Sequence, residues 1–143
     1  MRPTERIKEA QRVLEAEAKA IFASSKKIDL NFSKCVDLII DCKGTVVISG
    51  IGKSGNIGKK ITSTLASLGT PSIFLHTSDA FHGDLGILRK DDLLILISNS
   101  GETEELVRLL NYANENYIKS IAITGNLDST INNNCLLYTS PSP

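Results

Sequence analysis

Several things are missing from this 143-residue sequence, and each absence closes off a class of function. No apolar run approaches the ~20 residues that a membrane-spanning helix needs. The opening stretch "MRPTERIKEAQ" is too charged for a secretion signal. Neither charge sign is in excess, since 16 Lys and Arg balance 16 Asp and Glu. Without a basic surplus to displace counterions, nonspecific binding to nucleic acid is not expected. Cysteine is scarce, and Cys35, Cys42 and Cys135 form no CxxC pair. They read as buried thiols of a protein kept in a reducing cytoplasm. Internal repeats and low-complexity linkers are absent as well.

What remains is an ordinary globular composition, 41% hydrophobic and 22% charged. A chain of this length buries ~70% of its unfolded surface, enough for one core without metal or disulfide support. Helical spacing of Ile7, Ala10, Val13, Leu14, Ala18 and Ile21 predicts a helix over 4–24. Cys35, Leu38 and Ile39 predict a second over 31–42, stopped by Gly44. Beyond it the pattern changes. "TVVIS", "SIFLH", "LLILIS" and "SIAIT" are short β-rich runs, separated by the helical stretches "NIGKKITSTLASLG" and "ETEELVRLLNYANEN". Strands that alternate with helices and are apolar on both faces indicate a parallel sheet covered on both sides. The expected fold is a three-layer αβα sandwich, flavodoxin-like. Residues 1–43 form helices packed outside the sheet, 44–134 form the α/β body, and 135–143 form a tail of uncertain origin. The closing "NNNCLLYTSPSP" reads as a truncated end, with a fifth strand starting near Leu136 and prolines that cannot donate to a ladder.

Chemistry concentrates in two stretches. "SGIGKSGNIG" (49–58) is a glycine-rich turn between a strand and a helix. It is not a P-loop, because the leading glycine of GxxxxGK[ST] would fall on Val47, inside the strand. Gly50, Gly52 and Gly55 spell the dinucleotide pattern GxGxxG, but the acid wanted ~20 residues on is missing. The second strand ends instead in His76, Thr77 and Ser78, and Asp79 comes late. A third reading uses "ISNSGETEE" (97–105), which follows the third strand and opens a helix. Ser98, Ser100 and Thr103 offer three hydroxyls around Gly101, and free N–H groups at the helix start add donors. The helix dipole favours an anion there by ~0.3–1 kcal/mol. Two such turns at one end of a parallel sheet would hold a phosphate monoester without arginine.

In this order and spacing, "GIGKSGNIGKKITSTLASLGTPSIFLHTSDAFHGDLG" and "ISNSGETEE" resemble the sugar isomerase (SIS) domain, over about residues 5 to 134. Within it the match is to the arabinose-5-phosphate isomerase family. That resemblance implies interconversion of D-arabinose 5-phosphate and D-ribulose 5-phosphate through a cis-enediol, the first step toward the Kdo sugar of the Gram-negative envelope. It implies no required cofactor, a phosphorylated pentose as partner, a homo-oligomer (tetrameric in the family) and a cytoplasmic setting. Lys53 matches the family's GKSG lysine and Glu105 a glutamate used in or near catalysis; these two are the expected catalytic residues. Substrate binding is assigned to Ser54, Gly69, Thr70, His82, Ser98, Ser100, Glu102 and Thr103. His76 aligns with a metal-associated position, where zinc would be adventitious or inhibitory. Asn56 departs from the family, which usually has histidine there; an asparagine keeps a donor but cannot titrate. The family's remaining catalytic glutamate and histidine lie beyond position 143, which predicts weak or no turnover by these residues alone. Two rival readings stay open: a non-catalytic phosphosugar-sensing module, and an isomerase of another sugar phosphate.

Overall fold

The apolar run "VVISG" forms β1 (Val46–Gly50), buried at every position. The same is true of "LLILIS", which forms β3 (Leu93–Ser98). Continuous burial is what a parallel strand covered on both faces requires, and it places these two strands at the centre of the sheet. The computed structural model describes residues 2–81 and 83–139. In it β2 (Ser72–Phe74) flanks β1, while β4 (Lys119–Thr124) and β5 (Leu137–Thr139) continue beyond β3. The order is β2-β1-β3-β4-β5 and every pairing is parallel.

From β1 the chain steps one way to β2, then returns across β1 to β3 and steps the other way. Parallel crossovers are right-handed almost without exception. The helix of the first crossover, α3 (Gly52–Ser67), and that of the later one, α5 (Glu104–Glu115), must therefore cover opposite faces. The packing agrees. Leu106, Leu109 and Leu110 of α5 join Val47, Leu94 and Leu96 in one cluster. Ile61 and Leu65 of α3 join Val46, Ile48 and Ile95 in the other, together with Leu38 and Ile39 of α2 (Leu30–Ile40). The result is the three-layer, flavodoxin-like sandwich that the sequence predicts. At the amino ends of β1 and β3, buried Asp92 accepts the N–H groups of Thr45 and Arg89, both at 2.7 Å. Each carboxylate oxygen thus has a backbone partner, and the two central strands are tied together below the core.

Four expectations need correcting or completing. The helix predicted from residue 56 begins at Gly52, so Lys53, Ser54 and Gly55 belong to its first turn. Two short helices, α4 (Thr77–Phe81) and α6 (Thr130–Asn134), and a 3-10 turn at Asp84–Ile87 add to the predicted elements. The first helix, α1 (Pro3–Ser25), buries none of its residues, where the sequence predicts packing against the sheet. Its apolar side chains Ile7, Leu14 and Ile21 are 59%, 66% and 72% exposed. Finally, part of the expected tail lies in the sheet, since Leu137–Thr139 pairs with Ile121–Ile123; residues 140–143 lie outside the described residues. The three cysteines are free thiols. Burial pushes those of Cys35 and Cys135 above the ordinary thiol range, so they stay protonated and unreactive near neutral pH.

Candidate active site

In a sheet of order 2-1-3-4-5, the strand order reverses between β1 and β3, and ligands of such folds bind outside the carboxyl ends at that point. Both turns singled out in the sequence open there. Gly50, the last residue of β1, is the register partner of Ile97, the penultimate residue of β3. One turn leads at once into α3 on one face, the other into α5 on the opposite face. The crevice between them is bounded by two helix N-termini.

Neither helix caps itself. Ile51 and Thr103, the residues at the two N-cap positions, make no side-chain cap hydrogen bond. The first-turn N–H groups therefore remain for a ligand, and each terminus carries a partial positive charge of about half a unit. Close approach of β1 and α3 depends on glycine: a Cβ at Gly55 would sit 2.7 Å from the carbonyl oxygen of Gly50. Lys53 and Ser54 follow from that geometry, as first-turn residues held directly above the end of β1. Lys53 is exposed and Ser54 half-buried. Ser49, one step down the strand, is fully buried, and its hydroxyl has no partner among the described residues. Such orphans cost ~1–3 kcal/mol and are tolerated mainly at functional sites.

The second turn is held by its own side chains. Ser98 is 4% exposed. Its Oγ accepts the Gly101 N–H at 3.0 Å and lies 3.0 Å from the Thr103 hydroxyl. Ser100 is exposed and accepts the Glu102 N–H at 3.2 Å. Ser98 is thus an internal brace, whereas Ser100 stands at the surface of the turn. Glu104 and Glu105 are exposed in the first turn of α5. Glu102 makes a longer-range bond: Oε1 accepts the Thr130 N–H at 2.8 Å. That bond, with a smaller part from the Thr130 hydroxyl, holds its carboxyl below the usual carboxylate range.

Beside the first turn lies a cavity of about 170 Å³ lined by Gly50, Gly52, Gly55, Asn56, Lys59, Phe74 and His76. His76 Nδ1 accepts the Ser78 N–H at 3.2 Å. One imidazole falls short of the three or four protein ligands of a built zinc site. Among the described residues no group of three or more His, Cys, Asp or Glu could hold a metal ion. Lys59 and Phe74 are new here; the ammonium lies 5.4 Å from the ring centroid. Had the helix been started at Gly52, positions 52, 56 and 59 would have fallen on one face by helical period. Gly69 and Thr70 do not join the site. They follow the C-terminal end of α3 and lead into the amino end of β2, about 24 Å of helix away from the glycine turn. His82 lies outside the described residues. A larger cavity, about 630 Å³, opens at the amino ends beside Lys43, Thr45 and Arg89. Its innermost carboxylate, Asp92, accepts a backbone N–H on each oxygen and so braces the strand ends.

A doubly wound sheet with two uncapped helix N-termini at its switch point defines an α/β domain whose crevice offers donors of the kind that suit a small anion. The particular family follows from comparison: the SIS domain matches residues 38–143, and the chain belongs to that family. It is 46% identical over 133 residues to the arabinose 5-phosphate isomerase KpsF of Escherichia coli O6:H1. The match covers 90% of this chain and 39% of KpsF. It is 45% identical over 125 residues to the arabinose 5-phosphate isomerase KdsD of Pseudomonas aeruginosa, covering 87% of this chain and 38% of KdsD. The chain thus spans under two fifths of the length of these relatives. Among solved structures, an Escherichia coli protein in complex with arabinose 5-phosphate superposes with a TM-score of 0.93 at 37% identity. That match covers 99% of this chain and 76% of the other.

Proposed function

We propose that this chain binds a phosphorylated pentose as part of an aldose–ketose isomerase that interconverts D-arabinose 5-phosphate and D-ribulose 5-phosphate, the reaction that opens Kdo synthesis. The observation that carries this reading is the juxtaposition of two uncapped helix N-termini at neighbouring strand ends. Relatives named arabinose 5-phosphate isomerase, and a structural neighbour in complex with arabinose 5-phosphate, support the choice of sugar.

The phosphate rests on the β3–α5 turn, against first-turn N–H groups and the Ser100 hydroxyl, with Ser98 and Thr103 holding the turn in shape. The sugar extends toward the β1–α3 turn, where Ser54 meets its hydroxyls. Glu105 takes the proton from C2 of the open-chain aldose as the C1 carbonyl gains charge. Lys53 stabilises that developing oxyanion. Transfer of the O2 proton to O1, and return of the abstracted proton from Glu105 to C1, yields the ketose. A positioned base contributes a factor of ~10²–10⁴, and preorganised charge on the oxyanion a further factor of ~10²–10³. No organic cofactor enters these steps. The protein works in the cytoplasm and as a homo-oligomer, with the exposed apolar side of α1 against a second copy. None of the described helices is long and apolar enough to cross a membrane.

The test is a calorimetric titration with D-arabinose 5-phosphate, alongside D-arabinose as control. Saturable binding that requires the phosphate is expected; equal response to both sugars, or to neither, contradicts the reading.

A further inference from the structure

The sequence assigns Glu102 to the substrate, but its carboxylate is committed elsewhere. The strand order puts β4 on the side of β3 away from β1. Thr130, whose N–H the carboxylate accepts at 2.8 Å, opens α6 just beyond β4. Glu102 therefore reaches away from the crevice, across to the next turn.

Among the described residues, three backbone N–H groups donate across these two turns. The Asn99 carbonyl accepts the Gly125 N–H at 3.1 Å, and the Gly101 carbonyl accepts the Ile131 N–H at 3.1 Å. The third is Glu102 to Thr130. The β4–α6 turn is itself rigid. Thr124 Oγ1 accepts the Asn126 N–H at 3.1 Å, and Ser129 Oγ donates to the Asn126 carbonyl at 2.7 Å while accepting the Asn132 N–H at 3.3 Å. Gly101, at φ 67°, packs its Cα so tightly on Ser129 that a Cβ would collide with the Ser129 hydroxyl. The Ser98 bonds brace the inside of the β3–α5 turn, and its outer edge at Glu102 is set against this second network. Of the three bonds, only Glu102 supplies a side chain, so only this one can be removed by a single substitution that spares the backbone.

We infer that Glu102 is a positioning residue, which holds the β3–α5 turn in its ligand-binding shape by anchoring it to the β4–α6 turn through Thr130. The inference rests on the phosphosugar reading for its consequence, but its geometry is independent of it. The bond needs an acceptor oxygen, which a carboxylate supplies most strongly and a carboxamide also supplies, and this separates the role from that of a proton acceptor or a ligand to substrate.

The experiment compares wild type, Glu102→Ala and Glu102→Gln in the full chain, reading amide hydrogen exchange and D-arabinose 5-phosphate affinity. In Glu102→Ala, exchange at Thr130 and across 98–104 should rise about fivefold or more, and affinity should fall about three- to tenfold. Glu102→Gln keeps the acceptor and should restore both to within about twofold of wild type. Unchanged exchange in Glu102→Ala overturns the inference. So does a Glu102→Gln chain that loses affinity as fully as Glu102→Ala, since the charge would then be acting on the ligand. If wild type binds no sugar phosphate while exchange responds as described, the proposed function fails and the positioning role stands.

Discussion

Gly50 and Ile97 are register partners in neighbouring parallel strands, and within a few residues of each the chain leaves the sheet for a helix on opposite faces. Parallel neighbours lie ~4.8 Å apart, so the two turns start side by side, and a crevice opens where their helices part to opposite faces. Neither turn would be distinctive alone. Their adjacency follows from strand order and the handedness of the crossovers.

Lys53 is the one cation in the first turn of α3, and it is exposed. Lys53→Met keeps the apolar stem and removes the charge. Affinity for D-arabinose 5-phosphate should fall ~2- to 10-fold, the range for a hydrogen bond to the neutral C1 carbonyl, since charge on that oxygen develops only in the transition state. The melting temperature should stay within about a degree, because an exposed substitution of this kind costs at most ~0.5 kcal/mol. Calorimetric titration and thermal denaturation together check the pair of outcomes.

The two serines of the second turn should behave differently. Ser98 is buried and bonds Gly101 and Thr103, so Ser98→Ala should cost ~1–2 kcal/mol of stability as well as affinity. Ser100 is exposed and, among the described residues, bonds the Glu102 N–H two positions on. Ser100→Ala should leave stability within ~0.5 kcal/mol and weaken sugar phosphate binding. Urea unfolding beside titration distinguishes them; equal stability losses would contradict the assignment.

The central strands were legible because burial on both faces writes itself as unbroken apolar runs such as "LLILIS". The start of α3 was not. Four residues that include Gly52 and Gly55 look like a turn by propensity, and only the approach of Gly55 to the Gly50 carbonyl makes them helix. Helices α4 and α6 span five residues each, too few to display a period. In the site, residue types single out the two turns, but which face or neighbour each side chain meets is set by sheet order. That is why Ser98 proved a brace, Glu102 bonded across to Thr130, and Gly69 and Thr70 fell at the far end of the sheet.

Acid should loosen the second turn. The folded-state pKa of Glu102 lies below its ordinary 4.5, so the bond to Thr130 contributes fully above that value. As pH falls, the unfolded chain takes up the proton first, and the contribution is lost as pH drops through the lower folded value. Glu104 and Glu105 on α5 and Asp128 on the adjoining turn are the charged groups flanking it in sequence. Between about pH 5 and pH 3, Glu102→Gln should lose less stability than wild type. Urea midpoints across that range measure it; parallel curves would contradict the shift.

The exposed stripe of α1 makes a separate prediction. Ile7 and Leu14 are 59% and 66% exposed in the single chain, so Ile7→Asp with Leu14→Asp should leave its fold intact. If α1 joins copies, the double variant should sediment as a smaller species than wild type, with an unchanged near-ultraviolet circular dichroism spectrum. Identical sedimentation would remove α1 from the interface.

The most direct measurement of the central claim is an amide chemical-shift titration with D-arabinose 5-phosphate. Convergence of both turns on one phosphorylated sugar predicts that resonances of 50–55 and 98–105 move together, with a single dissociation constant. Movement of one segment without the other, or separate constants for the two, would contradict it.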